Sequence, residues 1–401
     1  MSTEMKKERS SECQMEIVAK VRKTISPRSK LEVKQKLNGY SLSQIFTQLV
    51  NLQQLIKAIH AFIGTGKVIS SDILLDCAKL AVDRIIQSMM HDRYDFDSQA
   101  HQIREGLGRL NVVCQEIKVK SLYPKLVKLE LVINSPPSDE TLEKIQRVLE
   151  DTLNEPVLLE SEKFKAKQMK VRVRSSNEFK VEHGVSYVGK NGNKVSGDSY
   201  FHESFATGKT LLAISDGMGN GEVARMESSE ALKILKCLLN FNISMERAIQ
   251  ILQNLKQYSN TDERFFSLDI CLIDREKQQA TFYKKGATPT FLIRHQQVEL
   301  INLPQLPVGV WGEESIEHLT IKLKENDVIV MCSDGVIEQY HDIEELGRYI
   351  LEQIGRQPKM IAKKVLQLTI NKNKGRIRDD MLILVAQYKT LQEQLVPAES
   401  S

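Results

Sequence analysis

The chain has 401 residues, 41% of them hydrophobic and 27% charged, with a formal net charge of +4. These values are typical of a globular protein with two or more domains, and the charge is too small to indicate nucleic acid or a membrane surface as a partner. No apolar run approaches the roughly 20 residues of a membrane-spanning helix, and the first residues lack a signal-peptide core. We therefore expect a cytoplasmic protein with no membrane span in this chain.

The cysteines are scattered, and no pair has the spacing of a zinc site. We predict reduced, mostly buried thiols. The six are Cys13, Cys77, Cys114, Cys237, Cys271 and Cys332.

The N-terminal part has two sections of different character. Residues 1–36 are charged and poorly patterned, which predicts a solvated tail. Residues 37–118 carry apolar side chains at three- and four-residue steps, which predicts about three helices and a mainly helical region. Their apolar faces fit either an intramolecular bundle or a helical pair that forms a homodimer.

Residues 119–176 predict a small α/β connecting unit. Strands are expected at Val127–Asn134, Val157–Leu159 and Lys170–Arg174, because the residues there alternate in polarity or are β-branched. A helix that Ser138 or Asp139 could cap is expected after the first strand.

Residues 177–390 predict a layered α/β domain, followed by a tail at 391–401. Helices are expected at about Gly221–Leu239 and Met245–Gln257. Apolar runs separated by turn residues predict strands. These runs are Thr210–Ile214, Ser267–Ile273, Gln279–Tyr283, Thr290–Ile293, Asp327–Met331 and Met381–Ala386.

Four aspartate motifs lie at predicted strand ends in this domain. They are Ser196–Tyr200 (SGDSY), Ser215–Gly221 (SDGMGNG), Ser333–Gly335 (SDG) and Arg378–Met381 (RDDM). One aspartate after a strand is usually a turn former, but four would converge if the strands lie side by side. Converged carboxylates repel one another unless cations intervene, and Mg²⁺ or Mn²⁺ prefers such oxygen ligands. The motifs therefore predict a site for two metal ions.

These motifs resemble a known family. In chain order, GDSY, SDGMGNG, SLDICLID, GATPTF, LPVGV, CSDGV and RDDM are similar to the motifs of protein phosphatase 2C-type (PPM) enzymes, over about residues 179–390. The resemblance implies a layered β-sandwich flanked by helices, the PPM phosphatase fold, after a mainly helical regulatory region. It also implies a protein serine/threonine phosphatase that uses two Mn²⁺ or Mg²⁺ ions.

The resemblance assigns roles to residues at the matching positions. Asp216 would bridge the two metals, and Gly217 would offer its carbonyl to one of them. Asp334 and Asp379 would bind the other. No side chain is the nucleophile in this family; a metal-bound water, held here by Asp216, attacks the phosphate.

Two acidic positions are less definite in that comparison. Asp198 matches the early acidic motif and would hold the second metal directly or through water. Asp380 lies where many members carry Asn or Asp, so either Asp379 or Asp380 could be the ligand.

More narrowly, the motifs resemble the sporulation branch of the family. That implies a phosphorylated anti-sigma factor antagonist as the partner and substrate, and release of a sporulation sigma factor as the result. Members of that branch carry a multi-span membrane domain and are tethered at the division septum.

The chain departs from the pattern in places. Leu382 replaces a usual threonine beyond the ligands, and the segment between Asp334 and Asp379 looks short, which could remove a peripheral flap. No equivalent of the N-terminal arginine that holds phosphate in eukaryotic members is evident.

Two other functions stay open at this point. A scaffold that keeps the fold without catalysis is one. An ATP-binding protein of the histidine-kinase type is the other, although it shares only Asp216–Gly221; a dinucleotide fingerprint fails because Glu222 stands where its third glycine belongs.

Two further expectations concern the surroundings of the site. Lys284 and Lys285 are expected at a solvated strand end. The helix predicted after Gly221 follows the metal-binding motif directly, so we expect the N-terminal helices to control activity by shifting it.

Overall fold

A computed structural model describes residues 53–59, 98–122, 127–134, 137–165, 168–176, 179–193, 195–205, 208–217, 222–241, 243–258, 265–310 and 315–390. The predicted charged tail, most of the predicted helical region and Cys13 and Cys77 lie outside these residues. Within them, residues 53–59 and 98–109 are helical, as the apolar spacing predicts. No helix in the described part of the chain is both long and apolar enough to cross a membrane.

The connecting segment forms a four-stranded antiparallel sheet covered by one helix. The strand order is β1-β2-β4-β3, and the predicted cap Ser138 accepts a hydrogen bond from the Thr141 amide at the start of α1. The elements are β1 (Cys114–Ser121), β2 (Lys128–Asn134), α1 (Asp139–Leu153), β3 (Val157–Lys165) and β4 (Gln168–Ser175). Strand β1 was not predicted; it is an edge strand with mostly exposed or half-exposed side chains.

Two five-stranded antiparallel sheets follow, with orders β11-β10-β13-β14-β5 and β12-β9-β8-β7-β6. The first sheet contains β5 (Phe179–Val188), β10 (Thr290–Arg294), β11 (Gln297–Ile301), β13 (Val328–Cys332) and β14 (Met381–Thr390). The second contains β6 (Asp198–Ser204), β7 (Lys209–Asp216), β8 (Leu268–Asp274), β9 (Gln279–Lys285) and β12 (His318–Lys322). All six predicted strands are present.

The two sheets pack face to face and are covered by helices on both outer faces. A buried cluster that includes Leu212, Phe282 and Leu384 fills the space between the sheets. The first sheet is covered by α4 (Asp334–Ile337), α5 (Ile343–Leu351) and α6 (Pro358–Lys372). The second is covered by α2 (Glu222–Asn240) and α3 (Met245–Tyr258), close to the predicted bounds. The predicted layered β-sandwich flanked by helices is confirmed, and the short-looking segment after Asp334 contains α5 and α6.

The helix at 53–59 contacts the outer helices of the second sheet. Its side chains Leu55, Ala58 and Ile59 belong to the same buried cluster as Leu235 of α2 and Leu252 of α3. The N-terminal region therefore contacts the helix pair that the sequence singled out.

Two predictions about side chains have different outcomes. The buried thiols are confirmed for Cys237, Cys271 and Cys332, all of them free, whereas Cys114 is half-buried. The prediction for Lys284 and Lys285 is wrong, because both are at most 2% exposed. A lysine in the core needs a partner for its charge.

Candidate metal centre

Four chain segments bring the predicted aspartates to one end of the sandwich. Asp198 and Asp216 stand directly opposite each other where β6 begins and β7 ends. On the other sheet, Ser333 follows β13 and donates its amide to the Leu382 carbonyl at 2.9 Å, next to the start of β14. Strand pairing thus decides which motifs meet.

Asp198 is the most deeply buried of these carboxylates, with only 7% of the residue exposed. Both of its carboxylate oxygens lack a hydrogen-bond partner among the described residues. Burial, together with repulsion from Asp334 and Asp380, raises the pKa of Asp198. A buried carboxylate without partners is costly unless a proton or a cation compensates it.

Burial and repulsion from neighbouring carboxylates also raise the pKa values of Asp216 and Asp334. Burial, followed by the charges of Asp198, Asp334 and Asp379, raises the pKa of Asp216. Burial also raises the pKa of Asp334, with Asp379 adding to it. Like charges placed this close favour either protonation or a bound cation.

The adjacent residues Asp379 and Asp380 have different environments. Asp380 is 6% exposed, and its two oxygens accept the backbone amides of Lys190 and Gly197, each at 2.7 Å. Asp379 has a side chain 45% exposed, and one of its oxygens accepts the Asp380 amide at 2.9 Å. Asp380 is thus occupied in holding the loop before β6, and Asp379 is the more accessible carboxylate.

The backbone after Asp216 is held from two sides. The Asp216 amide donates to Ser267 Oγ at 3.1 Å, and the Ser267 amide donates back to the Asp216 carbonyl at 2.9 Å. On the other side, a Cβ on Gly217 would lie 2.3 Å from the Ala224 carbonyl oxygen of α2. Only glycine permits that approach, so α2 packs directly on the motif.

Known proteins match both the sequence and the fold of this chain. Residues 206–389 match the family described as stage II sporulation protein E (SpoIIE). The chain is 32% identical over 322 residues to that protein from Priestia megaterium, and 31% over 294 residues to that from Bacillus subtilis. The solved Bacillus subtilis SpoIIE PP2C phosphatase domain with a fragment of its regulatory domain superposes with a TM-score of 0.65 and 29% identity, covering 80% of this chain and 95% of that one.

The chain is similar to SpoIIE proteins over most of its length. Its fold is that of the PP2C phosphatase domain. The matches cover 78% and 72% of this chain but only 55% and 36% of the two curated SpoIIE proteins. The chain thus spans about half the length of the Priestia megaterium protein and about a third of the Bacillus subtilis protein.

The carboxylates of this chain suit a hard divalent cation. The donors are oxygens, and the unpartnered oxygens of Asp198 need a positive charge beside them. Among the described residues, no group of three or more Asp, Glu, His or Cys side chains is close enough together to hold a metal ion as the side chains now lie. Asp334 instead accepts the following Gly335 amide at 2.6 Å, as Asp379 does with Asp380.

A groove beside Asp198 was not foreseen. Its volume is about 370 Å³, and Arg225 and Lys233 of α2 and the exposed Tyr187 and Tyr200 line it. Lys233 pairs with Glu230, but Arg225 forms no ion pair with any residue the structure describes. The sequence carried no signal for the groove, because its sides come from four separate elements, β5, β6, α2 and β14.

Proposed function

We propose that this chain is a metal-dependent protein serine/threonine phosphatase. The observation that carries the proposal is the convergence of four carboxylates at one end of a PP2C fold, one of them buried with both oxygens unpartnered. Bound Mg²⁺ or Mn²⁺ ions would supply the positive charge that polarises a phosphate ester and activates water.

We assign Asp198, Asp216, Asp334 and Asp379, with the Gly217 carbonyl, to two ions. The carboxylates of Asp216 and Asp198 face each other across two strands, which suits Asp216 as the bridge. Asp380 is left out of this set because two backbone amides already occupy its oxygens. Its role is to hold the chain that leads to Asp198.

The substrate we propose is a phosphorylated anti-sigma factor antagonist, whose dephosphorylation releases a sporulation sigma factor. Similarity to SpoIIE proteins supports this choice. The groove beside Asp198, with the positive charge of Arg225 on its side, suits a phosphorylated protein segment.

The test is release of phosphate from the phosphorylated antagonist with Mn²⁺, by the wild-type chain and by Asp216→Asn. We expect the variant to lose at least ~100-fold in both activity and Mn²⁺ affinity, because changes around metal ligands already cost 10- to 100-fold. Asp151→Asn, on the exposed side of α1, is the matched control. A wild-type chain without activity, together with an unchanged metal affinity in Asp216→Asn, would support the scaffold instead.

A further inference from the structure

A buried ion pair lies behind the carboxylate cluster. Lys284 of β9 is 0% exposed and donates to Asp269 Oδ1 of β8 at 2.6 Å. Its other two donors reach the Thr288 carbonyl at 2.6 Å and Thr290 Oγ1 at 2.8 Å. Thr290 in turn donates to the second oxygen of Asp269 at 2.9 Å. The ammonium has three donors and all three are used, which is what a fully buried lysine requires.

This network fixes the turn between β9 and β10. The turn contains Gly286, whose φ of +62° favours glycine, and Thr288, whose carbonyl the ammonium holds. The position of the Thr288 side chain is therefore set by a buried charge pair.

Thr288 passes this restraint to the metal centre. Its hydroxyl donates to the Cys332 carbonyl at 2.5 Å. In the β10–β13 register, Phe291 pairs with Val330, so Pro289 falls opposite Cys332. Proline has no N–H and cannot donate the ladder hydrogen bond there. The Thr288 hydroxyl donates to the Cys332 carbonyl instead. Cys332 lies two residues before Asp334.

The same elements surround a small cavity at the site. Its volume is about 130 Å³, and Asp216, Asp334, Ser267, Asp269 and Thr288 are among its lining residues. Asp269 of the ion pair, Thr288 and two of the assigned ligands thus border one space.

We propose that Thr288, held by the Lys284–Asp269 pair, is a positioning residue that sets Asp334 for metal binding. It acts through the Cys332 carbonyl and touches neither substrate nor metal. The inference rests on the proposed function, because Asp334 is a ligand only if the centre binds metal. Partners outside the ligand shell commonly control metal affinity in this way.

The experiment compares Thr288→Val with Thr288→Ser in the full chain. Valine keeps the shape and removes the hydroxyl, and serine keeps the hydroxyl. Mn²⁺ binding is measured by electron paramagnetic resonance, and hydrogen exchange of the Ser333–Val336 amides is measured without metal. We expect Thr288→Val to raise the Mn²⁺ Kd by about 10- to 100-fold and to speed that exchange, with Thr288→Ser close to wild type. Equal Kd values and exchange rates for the two variants would overturn the inference.

A second variant tests the ion pair itself. The double change Asp269→Asn with Lys284→Met removes both charges together, so no buried charge is left unpaired. It also removes the hold on the Thr288 carbonyl, so the same rise in Kd is expected. A double variant that binds Mn²⁺ like wild type would contradict the role of the pair. Failure of the proposed function is distinguishable, because it would appear in the wild-type chain itself, as absent phosphate release or absent Mn²⁺ binding, before any variant is compared.

Discussion

The two sides of the carboxylate cluster are held in different ways. On the first-sheet side, Asp334 and Asp379 each accept the amide that follows them, and Ser333 Oγ accepts the Leu382 amide at 2.9 Å. On the second-sheet side, the carboxylate oxygens of Asp198 have no hydrogen-bond partner among the described residues. On that side α2 also holds the backbone, because its Ser228 donates to the Gly197 carbonyl at 2.9 Å, in addition to the bonds of Gly197 to Asp380 and of Asp216 to Ser267.

This difference indicates where control could act. Hydrogen bonds within a sheet resist small displacements, whereas a packed helix can shift as a unit. The helix α2 lies on Gly217 and Gly197 on one side, and shares a buried cluster with residues 53–59 on the other. The second-sheet side of the centre is thus the one in contact with the N-terminal region.

The largest expected effects distinguish Asp379, which we assign to metal binding, from Asp380, which we assign to holding the backbone. We expect Asp379→Asn to weaken Mn²⁺ binding by at least ~100-fold and to leave the metal-free stability unchanged. Asp380→Asn should lower the free energy of unfolding by about 3 kcal/mol, because an amide cannot accept both backbone N–H groups that the carboxylate accepts. Mn²⁺ titration and urea unfolding of the metal-free proteins check both. Normal binding by Asp379→Asn, with lost binding in a stable Asp380→Asn, would reverse the assignment.

A smaller effect should follow from loosening the N-terminal contact. Replacing Leu55 and Ile59 by alanine removes side chains that are 1% exposed from the cluster shared with α2. We expect Mn²⁺ affinity and turnover to change by about 10-fold, a usual size for coupling between sites. Gln53→Ala with Gln54→Ala, on the exposed face of the same helix, is the control. Identical affinity and turnover in the alanine variant, and in a chain that starts at Phe179, would exclude control by this contact.

The smallest effect concerns pH. In the folded, metal-free protein the pKa values of Asp198, Asp216 and Asp334 are raised, so these groups bind more protons folded than unfolded. The free energy of unfolding therefore falls as pH rises above about 4, and Tm should drop between about pH 5 and 8, by about 2–4 °C for each kcal/mol. Calorimetry in EDTA should show a smaller drop in Tm for Asp216→Asn than for the wild-type chain. Other titrating groups, such as His183 and His202, contribute equally to both proteins, so the difference between the two Tm curves reports Asp216. Parallel curves for the two proteins would contradict the raised pKa of Asp216.

Several features of this chain could be read from residue patterns alone. The β-branched runs predicted six strands of the sandwich, and the three- to four-residue spacing predicted α2 and α3, because burial on one face imposes those periods. Five strands were given no predicted bounds, and most of their side chains are exposed or half-buried: β1, β5, β6, β11 and β12. Strand β1 lies at a sheet edge and has little apolar pattern, as does β12, whose residues are largely exposed. Strand β5 alternates weakly, since most of its side chains are only half-buried.

The sequence also predicted which aspartates matter, but not how they differ. Asp379 and Asp380 are adjacent residues of the same type, so the sequence cannot distinguish them. Only the fold shows that Asp380 accepts hydrogen bonds from two backbone amides that are distant in the chain. The same holds for Lys284, whose neighbours in the chain suggested a solvated strand end, while its partner Asp269 lies on the next strand, 15 residues earlier.

By itself, then, the sequence determined the SpoIIE-like motifs, the layered class of the fold and the need of four carboxylates for a cation. These depend on local pattern and on residue type. Tertiary structure alone decided which carboxylate lies opposite which, which is already occupied, and that a buried lysine and Thr288 stand behind Asp334. Such facts depend on strand register and on burial, and both arise from contacts between residues far apart in the chain.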